Sequence, residues 1–176
     1  MGNIKIIEGN IFDSKANFIV HQTNCQGVMG SGVAAQVAQR FPHVEVEYRK
    51  YLQRCKKNHI EPLGTTQYIP SECWALVMVD TMKNHNVIAF DTNYQYIVNL
   101  FGQNTFGAGL QTDLKAMKKA FIDIREKAEK IGAIVAMPYK IGSCRGGAEW
   151  NDVYNIIKQV FGKSNVDVEI WKYDLG

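Results

Sequence analysis

Short apolar runs alternate along the chain with amphipathic stretches, and this alternation is typical of an α/β protein. Eight runs rich in β-branched and aromatic residues predict strands at residues 4–7, 18–21, 65–69, 74–80, 87–91, 96–100, 133–137 and 166–171. Apolar positions at helical spacing predict helices at 31–41, 43–58, 112–130 and 149–161. The polar stretch 83–86 is expected to turn a hairpin.

The helix predicted at 112–130 has the clearest periodicity. Its apolar stripe consists of Leu114, Met117, Phe121 and Ile124, and Gly132 follows where a left-handed residue would end the helix. The strands that precede helices are almost wholly apolar, as expected of a sheet with helices on both faces. The pattern therefore predicts an α/β fold around a covered sheet.

Length and composition favour one domain. The chain has 176 residues, of which 46% are hydrophobic, which is enough for a packed core. No repeat or linker divides the sequence, so we expect a single domain over residues 1–176 and a monomer. No apolar run approaches the ~20 residues of a membrane span, and the start of the chain does not resemble a signal peptide, so no membrane partner is expected.

Charge and cysteine usage narrow the function classes further. The net charge of +3 is spread along the chain, unlike the clustered basic face of nucleic-acid-binding proteins. The four cysteines form no C-x-x-C pair, so we expect reduced thiols and a cytoplasmic protein. No His, Asp or Glu cluster has metal-ligand spacing, and we expect neither a metal nor a cofactor.

A glycine-rich loop follows the second predicted strand. Gly27, Gly30 and Gly32 lie between the strand that ends at His21 and the helix at 31–41. A strand, a glycine loop and a helix N-terminus together favour phosphate binding. A tight turn without a ligand is the alternative. A dinucleotide fingerprint fits less well, because the spacing is G-x-x-G-x-G rather than G-x-G-x-x-G.

A second loop of this kind follows the strand at 133–137 and contains Gly142, Gly146 and Gly147. Two such loops at the carboxyl ends of strands would hold a diphosphate between them. A third glycine-bearing loop lies within NLFGQNTFGAG, residues 99–109. There Phe101 or Phe106 would pack on a sugar or base, with a plain core role as the alternative for each.

Five segments together resemble the macro domain family: IKIIEGNIFD, FIVHQTN, GVMGSGVAAQVAQRFP, IVNLFGQ and MPYKIGSCRGGAEW. The His in the second strand, the M-G-S-G loop and N-L-F-G-Q are similar to the branch that processes ADP-ribose 1''-phosphate. The resemblance implies a three-layer α/β/α sandwich with a central mixed sheet. It also implies a nucleotide ligand, ADP-ribose or a derivative, in a cleft at the strand ends.

The resemblance also implies the ligand contacts. Asn10 stands where the family usually has an Asp that contacts the adenine amine, and its oxygen can accept that hydrogen bond without charge assistance. Ile11 would flank the base, and Asn24 would face the distal ribose. The other implied contacts are the two phosphate loops, formed by Gly30, Ser31, Gly32 and Val33 and by Ser143, Cys144, Arg145 and Gly146, together with Gln103.

Hydrolysis at the distal ribose requires a placed proton donor or an activated water. His21 is the predicted catalytic residue together with Asn24, and Glu149 stands where phosphatase-like members place an Asp. The alternatives are a buried, hydrogen-bonded His21 and a Glu149 that is favoured only by the helix dipole. Ser143 and Cys144 have no His nearby in the sequence to activate them as nucleophiles.

The resemblance therefore predicts a hydrolase that converts ADP-ribose 1''-phosphate to ADP-ribose and phosphate. One alternative is a hydrolase that removes ADP-ribose from a protein or nucleic acid, with an ADP-ribosylated macromolecule as partner. The branch with that activity uses Lys and Asp at the places of Gln103 and Gly146, which argues against a lysine adduct. Further alternatives are a non-catalytic ADP-ribose-binding module and a different nucleotide-binding α/β enzyme.

Overall fold

The structure is a computed structural model that describes residues 1–73 and 90–173. The predicted hairpin at 83–86 and the predicted strand at 74–80 lie outside the described residues. The predicted strand at 87–91 also lies outside them, apart from its last two residues.

Six strands of the described chain form one sheet: β1 (Ile4–Glu8), β2 (Phe18–Asn24), β3 (Thr66–Pro70), β4 (Tyr96–Gln103), β5 (Val135–Pro138) and β6 (Val168–Lys172). Their order is β1-β6-β5-β2-β4-β3. All neighbouring strands are parallel except β3, which runs antiparallel to β4. The sheet is therefore mixed, as the family resemblance implied.

Four α-helices lie within the described residues: α1 (Gly32–Arg40), α2 (Pro42–Lys57), α3 (Leu114–Ile131) and α4 (Trp150–Phe161). A 3₁₀ turn, Ile11–Asp13, follows β1. Pro42 occupies the first turn of α2, where its fixed φ and missing N–H are tolerated, so α1 and α2 are separated by Phe41 alone. Gly132 ends α3 with a φ of 69°, in the left-handed conformation that its position predicted.

Two apolar cores cover the two faces of the sheet. Phe18 and Val20 of β2 belong to the core that includes Met117 of α3 and Val153 of α4. Ile19, the residue between them, belongs to the opposite core. That core includes Val37 of α1 and Tyr48 of α2. Successive side chains of a strand point to opposite faces, so the helices form two outer layers and the three-layer sandwich is confirmed.

The arrangement of the central strands positions the candidate site. β2 lies between β5 and β4 and runs parallel to both, so the three strands end at the same edge of the sheet. The loops that follow these strands are the three glycine-bearing loops of the sequence. No helix in the described parts of the chain is long and apolar enough to cross a membrane.

Candidate functional site

A cleft of about 580 Å³ lies where the three glycine-bearing loops meet. Its volume is within the range of small-molecule sites, ~300–1,000 Å³. The predicted site residues that line it are His21, Asn24, Gly30, Ser31, Gly32, Val33, Gln103, Cys144, Arg145 and Gly146. The structure thus brings both predicted phosphate loops and the end of β2 together.

Asn24 shapes the first glycine loop from within. Its Oδ1 accepts hydrogen bonds from Gln26 N at 2.9 Å and Tyr48 Oη at 2.9 Å. Its Nδ2 donates to Val28 O at 2.7 Å. Burial raises the pKa of Tyr48, so its hydroxyl stays protonated and able to donate. Asn24 therefore lines the cleft while its amide is engaged in holding the loop.

The N-terminus of α1 lies at the cleft. Ser31 occupies the N-cap position with extended backbone, and its side chain makes no capping hydrogen bond. The first turn of α1 carries no acidic residue that would compete for the positive end of the helix dipole. Ser31, Gly32 and Val33 line the cleft, so backbone N–H groups of this turn are placed to bind an anion.

The amide of Gln22 joins the walls of the cleft. Its Nε2 donates to Gln103 Oε1 at 2.6 Å and to Thr112 Oγ1 at 2.9 Å. The Thr112 hydroxyl in turn donates to Gly142 O at 2.7 Å. A Cβ on Gly146 would overlap the Thr112 hydroxyl, so only glycine allows this close approach. Sequence reasoning missed Gln22 and Thr112, because their contact joins β2 to a loop 90 residues further along the chain.

The cleft is cationic. Lys140 and Arg145 line it, and none of the described lining residues is an Asp or Glu. Lys140 has a φ of 60°, an uncommon conformation for a side-chain-bearing residue. A Cβ on Gly32 would lie 3.9 Å from Arg145 Cγ, so the two phosphate loops approach each other closely. This arrangement favours an anionic ligand held between the loops.

His21 is the titratable residue of β2, and it lies in the middle of the strand, because β2 continues to Asn24 rather than ending at His21 as predicted. The ring is buried, with 1% of its surface exposed, and Nε2 lies 2.7 Å from Asn99 Oδ1. Desolvation lowers the pKa of His21 to about 4, against the opposing hydrogen bond to Asn99. The ring is therefore neutral near pH 7. Its Nδ1 has no hydrogen-bond partner among the described residues, so this nitrogen is the one that can accept a proton.

Four predicted site residues do not line the cleft. Asn10 caps the 3₁₀ turn, where its Oδ1 accepts a hydrogen bond from Phe12 N at 3.0 Å. Ile11 is buried in the core beneath α1 and α2. Ser143 lies in the second phosphate loop with its Oγ buried and unpartnered within the described chain. Glu149 is the exposed N-cap residue of α4, and its side chain makes no capping hydrogen bond.

The structure gives different roles to Phe101 and Phe106, the two phenylalanines for which the sequence allowed either a core position or a ligand contact. Phe101 is fully buried in the core, where it packs at 5.8 Å from Tyr48 and 5.2 Å from Tyr51 between ring centroids. Phe106 is 55% exposed and lines the cleft. Phe106 is therefore the aromatic residue of this loop that a ligand could contact.

The fold and the cleft together define a three-layer α/β/α protein with a cationic cleft at the strand ends. The sequence profile of the family described as "Macro domain" matches residues 20–157, which is most of the chain. The chain belongs to the macro domain family.

Similar curated proteins fall into two groups. A stretch of 73 residues, 40% of this chain and 40% of the relative, is 37% identical to an ADP-ribose 1''-phosphate phosphatase of Saccharomyces cerevisiae (strain YJM789). A stretch of 171 residues, 96% of this chain, is 26% identical to a DNA ADP-ribosyl transferase-DNA ADP-ribosyl glycohydrolase fusion protein of Thermosipho africanus. That match covers 42% of the relative, so the chain spans about two fifths of these proteins.

Solved structures agree on the fold. The macrodomain of Mycobacterium tuberculosis DarG has a TM-score of 0.71 and 22% identity, with 97% of this chain and 98% of that chain covered. Thermosipho africanus DarTG in complex with ADP-ribose has a TM-score of 0.73 and 23% identity, with 99% of this chain and 42% of that chain covered.

Proposed function

We propose that the cleft binds ADP-ribose derivatives and hydrolyses ADP-ribose 1''-phosphate to ADP-ribose and phosphate. The observation that carries the proposal is the state of His21. One ring nitrogen is held by Asn99, and the other is buried and unpaired within the described chain. His21 lines the cleft together with Lys140 and Arg145. The yeast relative that shares 37% of 73 aligned residues is named for this activity.

In this proposal the first turn of α1 and the second phosphate loop hold the diphosphate, with Arg145 contributing charge. His21 Nδ1 takes a proton from a water as the water oxygen attacks phosphorus. The bond between phosphorus and the 1''-oxygen breaks, and the imidazolium returns the proton to the departing oxygen. The lowered pKa keeps His21 neutral at the start and makes the imidazolium a strong acid for the last step, although it also makes the ring a weaker base than an ordinary histidine.

We also propose a role for Asn10 and Ile11 at the adenine and none for Glu149 in proton transfer. Asn10 Oδ1 already accepts one hydrogen bond but has a second lone pair, so it can still accept from the adenine amine beside Ile11. Glu149 lies outside the cleft lining, so we assign proton transfer to His21. Turnover by a Glu149→Gln variant at the wild-type rate would support that assignment, and a loss of about tenfold or more would restore Glu149 as the partner.

A phosphorus NMR time course with ADP-ribose 1''-phosphate tests the proposal. The wild-type protein should broaden the diphosphate signals and release inorganic phosphate. His21→Gln should bind the ligand and release phosphate at least about 100-fold more slowly, since general acid–base catalysis contributes at least that factor. His59→Gln is the matched control, because His59 is exposed at the end of α2 and does not line the cleft. Equal rates for wild type and His21→Gln would refute the assignment.

Removal of ADP-ribose from a macromolecule is the second candidate. The similarity to the Thermosipho africanus fusion protein covers 96% of this chain, whereas the yeast match covers 40%. An oligonucleotide or peptide carrying ADP-ribose is the substrate that distinguishes the two activities. Release of ADP-ribose from it, with no phosphate released from the small molecule, would favour this candidate. Binding without turnover of either substrate would favour a non-catalytic ADP-ribose-binding module.

A further inference from the structure

A row of buried polar side chains crosses the sheet beneath α2. β2 and β4 pair in a register that places His21 opposite Asn99, and β3 pairs with β4 so that Gln67 also lies opposite Asn99. The neighbours of these residues at alternate positions, Ile19 and Ile69, belong to the core under α1 and α2. The three polar side chains therefore share that face of the sheet with apolar residues.

The row is continuous from the helix to the histidine. Gln67 Nε2 donates to the backbone oxygen of Glu47 in α2 at 2.9 Å. Asn99 Nδ2 donates to Gln67 Oε1 at 3.0 Å. Asn99 Oδ1 lies 2.7 Å from His21 Nε2. Asn99 is fully buried and Gln67 is 9% exposed, so each of these groups depends on its protein partner.

The direction of every hydrogen bond in the row follows from its first member. A backbone oxygen can only accept, so Gln67 must turn its NH₂ group toward Glu47 and its oxygen toward Asn99. Asn99 must then donate to Gln67, which turns the Asn99 oxygen toward His21. An oxygen there requires a proton on His21 Nε2 and leaves the lone pair on Nδ1.

We propose that Gln67 and Asn99 are positioning residues that hold His21 in the Nε2–H tautomer and orient its ring. The consequence for catalysis rests on the proposed function, because the base in that reaction is Nδ1. Gln67 does not line the cleft and acts only through Asn99. Through this row, the tautomer of His21 depends on the backbone oxygen of Glu47 in α2.

Nitrogen-15 NMR of the histidine rings in the intact protein tests the tautomer directly. The wild-type protein should show His21 as a single Nε2–H tautomer near pH 7. In Gln67→Met, the Asn99 amide loses the partner that fixes its orientation, so the two nitrogen signals of His21 should move toward their average. Gln95→Met is the matched control, because Gln95 donates to Ser14 O and Ala16 O, away from the cleft. The control should leave the His21 signals unchanged.

A second substitution provides a rescue. Asn99→Asp in the Gln67→Met background places a group opposite His21 that, as a carboxylate, can only accept, so the single Nε2–H tautomer should return. A merely structural role for the row predicts no such recovery. The thermal unfolding midpoint of each variant, measured alongside, identifies any variant that fails to fold. If Gln67→Met is such a variant, Gln67→Leu, which also lacks the acceptor for Asn99, supplies the same comparison.

The two measurements can refute the positioning role and the proposed function independently of each other. A wild-type His21 protonated at Nδ1, or an Nε2–H tautomer unchanged in Gln67→Met, would overturn the positioning role whatever the protein hydrolyses. The expected tautomer shifts without turnover of ADP-ribose 1''-phosphate would refute the proposed function and leave the positioning role standing. With both intact, Gln67→Met should lower kcat by about tenfold or more with KM unchanged, because the substitution does not touch the ligand.

Discussion

The buried His21 should make the protein less stable in mild acid, and the size of this effect can be worked out. Desolvation lowers the pKa of His21 from 6.5 to about 4 in the folded protein. In the unfolded chain the ring is solvated and keeps its ordinary pKa. Between these two values the unfolded chain binds a proton that the native protein does not bind, so the free energy of unfolding falls as the pH falls through that window.

The sign is opposite to that of a histidine that gains a charged partner. Above the unfolded pKa of 6.5, His21 does not lower the free energy of unfolding. The loss grows as the pH falls and reaches its full size near pH 4. One pKa unit corresponds to ~1.4 kcal/mol, so lowering the pH from about 7 to about 4.5 should cost about 2 kcal/mol through His21. That loss is a large fraction of the ~5–15 kcal/mol stability of a typical domain.

Urea unfolding of wild type and His21→Gln at the two pH values measures this contribution. The carboxylates titrate in both proteins, so the difference between their free energies of unfolding isolates the histidine. That difference should shift by about 2 kcal/mol in favour of His21→Gln on acidification. His43→Gln is a control, because His43 is only partly buried and its Nε2 donates a hydrogen bond to Pro70 O at 2.9 Å. A difference that is independent of pH would refute the desolvated, neutral state of His21.

Three further substitutions test the walls of the cleft. Gly146→Ala would place a methyl group against Thr112, so we expect a loss of about 2 kcal/mol in urea unfolding together with weaker ADP-ribose binding by calorimetry. Tyr48→Phe removes the hydroxyl that donates to Asn24, and the unfolding free energy should fall by about 1 kcal/mol. Arg145→Met should weaken ADP-ribose binding more at low salt than at high salt, and equal weakening at both would exclude a charge contribution.

The helices and strands of the described chain follow from its periodicity. The stripe of Met117, Phe121 and Ile124 is fully buried against the sheet, and α3 begins at Leu114 after Asp113, whose side chain accepts from two backbone N–H groups of the first turn. Predicted and observed bounds differ by a few residues at the ends, where caps rather than apolar spacing decide the outcome. The predictions at 74–80 and 83–86 stay predictions.

The two glycine-rich loops could be recognised in the sequence because their signal is local, whereas their binding of phosphate stays a prediction. A run of glycines between a strand and a helix can be recognised without knowing which distant residues lie nearby. Both loops line one cleft in the structure. The row from His21 through Asn99 to Gln67 could not be predicted, since it depends on which residues face each other across three strands. Lateral pairing of strands is set by the whole sheet, and a single sequence gives no direct measure of it.

Some residues that the resemblance predicted as site residues do not line the cleft. Asn10 and Glu149 were matched by their position in motifs, and the structure places both outside the cleft lining. Asn10 is occupied with Phe12 N, and Glu149 begins α4. A motif fixes the backbone position of a residue, whereas the direction of its side chain depends on the competing partners around it.

The place of β6 in the sheet has a consequence for how the molecule is made. β6 is the last of the described strands along the chain, yet it lies between β1 and β5, and β1 pairs with it alone in the described sheet. Of the described strands, β1 is therefore synthesised first, and its one described neighbour is synthesised last. Contacts so distant in sequence are slow to form, and β1 is exposed to chaperones and proteases during that interval.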